Sequence, residues 1–522
     1  MTPLDIHRQA AAWSRRTVDP DAPGRMTNDT AIQSQATADD RSTQHAAIAA
    51  VALAGLSSAA AASNPDLVAD VDPSAVLVKL VQRLTFGHTA DELQLVNQRG
   101  FTGYLEYHLD HLAIDDSQFA QTLPFEVTLP LAPRYLVNNY GPDTLIPIIT
   151  DAIIRRAVSS KRQLFERMVE FWGDHFNIYI RDDHQFVFKL INDRDVVRPN
   201  ALGNFRTLLQ AMAQSPAMLS FLDNDLNIAA HPNENYPREL LELHTMGIAG
   251  GYTEQDVREI ARCLTGWSVV PWLNITDPNY GTFIFNAHHH DNGPKTVLGH
   301  HIPAGGGMQD GITVMNILAD HPSTARHIST KIARWFLGDD APRTIIDNAT
   351  AAFTSSGGEI KAVIRAVVTP NALFNAGHKI KRPLHMIASA LRALPFTIAN
   401  VTTVRYWLES AGHMPFQWGP PDGYPDRFES WCRVMLPRWA AAGDIGNGTF
   451  TGLSLNTSAM FQGASTVGPA TQRIDDVLFA GAMPVYDRER VANYLSAESP
   501  LTPVRLRSAV GMAVASPGFQ LY

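Results

Sequence analysis

Apolar residues recur along most of this chain at the three- and four-residue steps of an amphipathic helix. Val76, Leu77, Leu80, Val81 and Leu84 share one stripe behind Ser74 as cap, and Thr89-Ala90-Asp91-Glu92 opens a second helix that should end at Gly100. Leu164, Phe165, Met168, Val169, Phe171 and Trp172 mark a helical stretch between Asp151 and Ile180, and shorter helices are predicted at 204–213 and after Ser215-Pro216. Thr253-Glu254-Gln255-Asp256 is another capping box, leading through Val257, Ile260, Ala261 and Leu264 to Gly266. Helices are predicted again at 311–318, 324–336, 344–353, 359–368 and after Pro383, whereas Phe283 to Phe285 reads as a brief strand. From about Val401 glycine, proline and aromatic residues rise. The pattern predicts an all-α fold: many helices around a single large core, few short strands and a loop-rich C-terminal portion.

A chain of 522 residues, 45% hydrophobic and 18% charged, can bury such a core. Its net charge of −9 offers no basic footprint, so neither nucleic acid nor an anionic membrane surface is an expected partner. Cys263 and Cys432 are too few for a disulfide framework or a cysteine-based zinc site, and their spacing does not decide whether they meet. Ala46 to Ala62 is a run of small apolar residues with the length of a signal-peptide core, short for a membrane span. Residues 1–70 therefore read as a leader carrying an export signal, with residues 71–522 as the folded domain. The mature chain has no predicted integral span, and its expected location is periplasmic or extracellular. The flanks are weak for an export signal, since only Arg41 and His45 precede the run closely and Arg15-Arg16 lie some thirty residues upstream. An alanine-rich linker in a cytoplasmic protein is the alternative.

Chemistry concentrates first at Asn233-Glu234-Asn235-Tyr236-Pro237-Arg238-Glu239-Leu240-Leu241-Glu242-Leu243-His244-Thr245-Met246-Gly247. As a helix this places Arg238, Glu239, Glu242 and Thr245 on one arc, with Leu240, Leu241 and His244 opposite. Crowded carboxylates raise one another's pKa, so Glu239 and Glu242 qualify as an acid and base tuned by Arg238, with Glu234 and Asn235 as substrate contacts. A solvated i,i+4 ion pair is the bland alternative. The second concentration, His288-His289-His290-Asp291-Asn292-Gly293-Pro294-Lys295, offers nitrogen and oxygen ligands, but its spacing matches no recognised metal motif. A polar surface loop is equally compatible with it. Trp418 and Tyr424, in a Gly- and Pro-rich segment, suit stacking on a sugar ring as well as plugging a core. His175, beside Asp174, reads as a core histidine more readily than a catalytic one. No phosphate-binding loop, dinucleotide fingerprint or nucleophile elbow is present, and the sequence names no cofactor.

Taken together, Arg83-Leu84-Thr85-Phe86-Gly87, Phe171-Trp172-x-x-His175-Phe176, the Asn233–Gly247 stretch, Leu264-Thr265-Gly266-Trp267 and His290-Asp291-x-Gly293-x-Lys295-x-x-Leu298-Gly299 resemble the bacterial family called domain of unknown function 1800. The resemblance runs from about residue 75 to the end of the chain. It implies a mainly helical, typically exported protein, often encoded beside a second exported family that would be a candidate partner, and it implies no activity. Met246 stands where the family usually has Leu, and two extra histidines precede His290-Asp291.

Three functions are compatible with these residues. The first is an exported hydrolase or lyase on a polysaccharide or related polymer, with Glu239 and Glu242 as acid and base, Arg238 tuning them, and His290, Asp291 and Lys295 converging from the second loop. The second is a non-catalytic binding or assembly protein with a buried polar network, and the third a metal-dependent oxidoreductase using His288, His289 or His290.

Overall fold

Thr89 and Thr253 begin their helices as their positions predict. The Thr89 hydroxyl accepts the Glu92 N–H, and Thr253 exchanges hydrogen bonds reciprocally with Asp256. The computed structural model describes residues 73–182, 184–270 and 276–522; the expected leader lies outside the described residues.

The helix that opens at Ala90 breaks at Gly100 (φ 67°, ψ −179°) as expected, and a second helical stretch continues from there to Leu109, where Tyr104, Leu105 and Leu109 are drawn into the core. The 151–180 pattern resolves into two helices, Pro142–Ser159 and Gln163–His175; the Ser160 hydroxyl accepts the Arg162 N–H at the break.

Among the described residues the strands form three small antiparallel sheets. β1 (Trp267–Val269) pairs with β2 (Phe283–Phe285), and β3 (Lys295–Val297) with β4 (His300–Ile302). β5 (Phe396–Ile398), β6 (Thr449–Phe450) and β7 (Leu453–Leu455) make the third, in the order β5-β7-β6. Everything else of regular structure among the described residues is helical.

One large apolar cluster runs from Leu80 to Leu373, and a second collects the helices after Pro383. In the latter, Met435–Asn447 lies against Pro503–Ala515 so closely that a Cβ on Gly446 would sit 2.6 Å from the Gly511 backbone. The loop-rich segment is confined mainly to 411–427, after which helices resume. Among the described residues no helix is long and apolar enough to cross a membrane, and Cys263 and Cys432 are not bridged. Buried Arg83 ties distant parts together by donating to the carbonyls of Phe336, Gly377 and Tyr522.

Candidate functional site

The Asn233–Gly247 stretch starts as a helix, Asn235–Glu239, and widens into a π-turn, Leu240–His244. The wider turn shifts the register. Leu240, Leu241 and His244 are buried as expected, but Thr245 is buried too, its hydroxyl on the Leu240 carbonyl at 2.6 Å, and so leaves the charged arc. Arg238 grips Glu254 through two bonds of 2.9 and 2.8 Å and reaches Glu234 at 3.3 Å and Glu242 at 3.8 Å. These side chains are 28–63% exposed, so each pair contributes at most about 1 kcal/mol. Burial and then Glu242 push the half-buried Glu239 carboxyl up, with a further contribution from Asp422 across the surface. Asn235 is exposed, its amide 3.3 Å from Asp223.

The second concentration is tied elsewhere. Arg262 holds Asp291 at 2.7 Å and Glu259 at 3.0 Å. His290 places Nδ1 2.8 Å from the Thr265 carbonyl and Nε2 3.2 Å from Asp310. Lys295, fully buried, donates to Asp310 at 2.7 Å and to the carbonyls of Gly293 and Asp291. Asp256 and Glu259 accept the N–H groups of Leu298 and Thr296. The loop and the β3–β4 hairpin are thus clamped to the Glu254–Cys263 helix. Arg238 engages one end of that helix and Asp291 the other, about 12 Å apart along its axis for eight residues, and the two groups share no ion pair among the described residues. His288 and His289 are exposed, and among the described residues no group of three or more His, Cys, Asp or Glu is arranged to hold a metal.

The third group is the one that opens onto a cleft. The Gln163–His175 helix delivers Asp174 and His175, the Pro322–Leu337 helix delivers Lys331, Arg334 and Trp335, and the 411–427 loop lies across both. That loop is fastened by Asn177, which donates to the carbonyls of Trp418 (2.8 Å) and Pro420 (2.6 Å), and by the Ile180 N–H on Phe416. Gly423 (φ 75°) is required there, since a Cβ would stand 2.1 Å from the Asp174 carbonyl. Between these elements lies a cleft of about 750 Å³ walled by Trp335, Trp418 and Tyr424. Trp418 donates its indole N–H to Asp422 at 2.8 Å and sits 5.1 Å from the Tyr424 ring, whose hydroxyl is on the Met414 carbonyl.

Unmet hydrogen-bonding capacity gathers at the floor of this cleft. Arg382, 3% exposed, is ion-paired with Asp174 at 2.6 Å and lies 3.7 Å from Glu170, and its Nε and Nη1 have no acceptor. His175 Nδ1 and Trp335 Nε1 are likewise unsatisfied. Buried polar atoms left without partners cost about 1–3 kcal/mol each and mark a place kept for something other than stability. Burial raises Asp174 to about 6 against the pull of Arg382. Burial also lowers Lys331 to about 8, opposed by Asp174, Asp426 and Asp422; its ammonium has no hydrogen bond or ion pair among the described residues.

A family model described as "Protein of unknown function (DUF1800)" matches residues 79–521. The chain belongs to the DUF1800 family. No curated protein and no solved structure matches it.

Of the residues singled out in this DUF1800 chain from sequence, Trp418 and Tyr424 reach the cleft, as does His175, read from sequence as a core histidine, and Glu239 feels Asp422 at its margin. Glu234, Asn235, Arg238 and Glu242 stay with the surface network; His290, Asp291 and Lys295 stay with the clamp. Asp174, Lys331, Arg334, Arg382, Asp422 and Asp426 come from separate segments, and periodicity did not join them. One signal was present: Lys379-Ile380-Lys381-Arg382 puts three cations beside an apolar helix, and all three are buried.

Proposed function

We propose that this protein is an exported enzyme that cleaves a carbohydrate-like polymer by acid–base catalysis in the Trp335–Trp418–Tyr424 cleft. Asp174 is the base, Lys331 the acid, and the aromatic walls hold the sugar rings. The observation that carries this is the pairing of two ionisable groups pushed toward neutrality from opposite sides, about 6 and about 8, in one aromatic cleft. At pH 7 Asp174 is mostly ionised and accepts a proton from water or from the sugar ring, while Lys331 is mostly charged and protonates the leaving glycosidic oxygen. On this reading Glu239 and Glu242 do not supply the acid and base. A second hollow of about 400 Å³ shares Asp339, Asp426, Arg427 and Glu429 with the first, which suits a chain longer than one sugar. Export rests on the Ala46–Ala62 run.

The test is turnover of a panel of neutral and acidic polysaccharides, read as new reducing ends and as absorbance of unsaturated products. Asp174→Asn and Lys331→Met should each lower turnover by about 10²–10⁴-fold with the fold retained. Wild-type turnover in both variants would remove the assignment. The dense ion network beside the cleft favours a second reading, a carbohydrate-binding protein without chemistry, which predicts sugar binding and no products.

A further inference from the structure

Behind the cleft lies a narrow crevice of about 50 Å³, which shares Asp174, Arg382 and Tyr424 with it. Apolar side chains, Ala157, Val169, Leu384 and Phe416 among them, make one part of its wall, and Glu166 and Asp193, both held by Arg198, and Glu170, held by Arg167, another. At roughly 10–15 Å³ for each water-sized occupant, it takes about three or four heavy atoms, and water against the apolar part of the wall is poorly bonded. Where crevice and cleft meet stands Arg382, ion-paired with Asp174 through one nitrogen and with Nε and Nη1 left without an acceptor. An occupant must therefore be short, apolar at its tip and equipped with an acceptor oxygen at its base.

Charge decides between a carbonyl and an anion. Arg382 already faces Asp174 at 2.6 Å, and Glu170 faces both Arg167 at 2.8 Å and Arg382 at 3.7 Å. Arg198, also on the crevice wall, is taken up by Glu166 at 2.7 Å and Asp193 at 2.9 Å. Four carboxylates thus face Arg382, Arg198 and Arg167, so an incoming anion finds no net positive charge, whereas a neutral carbonyl oxygen accepts an N–H without adding charge. We infer that the crevice is an acyl subsite that recognises an acetyl group carried by a sugar of the polymer, its methyl among Ala157, Val169 and Leu384 and its carbonyl oxygen on Arg382.

This rests on the proposed sugar-binding role of the cleft and specifies its substrate. The experiment is isothermal titration of the full chain with two neutral probes on the same β-1,4-linked backbone, tetra-N-acetylchitotetraose and cellotetraose. The acetylated sugar should bind about tenfold or more tightly, since a site built to bond a substrate group discriminates strongly against the analogue that lacks it. Ala157→Leu, which fills the crevice, should bring the ratio close to one, and the milder Ala157→Val should lower it part-way; circular dichroism verifies the fold of each. Equal affinities in the wild type, or a preference that survives Ala157→Leu, overturns the acyl subsite and leaves the sugar cleft standing. Binding of the acetylated sugar without products overturns only the catalytic role. Failure of both sugars to bind overturns subsite and sugar cleft together.

Discussion

Lys295→Met separates a structural clamp from a functional loop. Lys295 and Asp310 are 0% and 2% exposed and 2.7 Å apart, and the ammonium also serves the Gly293 carbonyl at 2.9 Å and that of Asp291. Methionine keeps the length and most of the volume, so little cavity forms. What remains is an Asp310 carboxylate buried with His290 alone, at 3.2 Å. Removing one partner of a buried pair costs about 3–5 kcal/mol. With about 2.1 cal/mol/K of unfolding entropy per residue over the roughly 450 residues from Pro73 onward, 1 kcal/mol moves the melting temperature by about 1 °C. Scanning calorimetry should therefore show a fall of about 3–5 °C, most of it recovered in Lys295→Met/Asp310→Leu, where no charge is stranded. Glu242→Gln, at the exposed Arg238 network, should shift it by less than about 1 °C. A Lys295→Met protein melting with the wild type would refute the clamp, and an unrecovered double variant would refute the stranded charge as its cause.

Turnover should follow a bell-shaped pH profile, lost as pH falls through about 6, where Asp174 protonates, and as it rises through about 8, where Lys331 loses its proton; a profile flat from pH 5 to 9 excludes the pair. Lys381 is 4% exposed over the Phe519 ring and lowered to about 7 by burial and then by Arg438, whereas unfolded lysine titrates near 10.5. Between those values the unfolded chain binds more protons, so stability should rise with pH from about 7 to 10, and Lys381→Met should raise the melting temperature more at pH 6 than at pH 10. A stabilisation equal at both pH values would show that Lys381 titrates normally. N-terminal sequencing of protein from the native host should begin near Ser63 or Asn64; intact Met1 in cytoplasmic material counts against export.

The helical character was legible because both of its causes are local. Thr89 and Thr253 cap the helices that start beside them, and the apolar stripes find the core whatever the tertiary arrangement. Where the pattern misled, a competing tertiary force acted. The π-turn at Leu240–His244, invisible to a 3.6-residue period, turned Thr245 inward.

The candidate site was harder to read for a different reason. Counting charges finds where charge is dense, and a surface network such as Arg238 with Glu234, Glu242 and Glu254 is dense because solvent makes it inexpensive. A site that perturbs its own groups needs burial instead, and burial is a property of where segments meet. Asp174 and Lys331 are 157 residues apart and individually ordinary in their helices. What shifts them is burial where the two helices meet the loop through Gly423, which packs directly against the Asp174 backbone. Trp418 and Tyr424 were the legible part because a large aromatic in a glycine-rich loop must settle against something. Here they settle along the cleft that Asp174 and Lys331 also line.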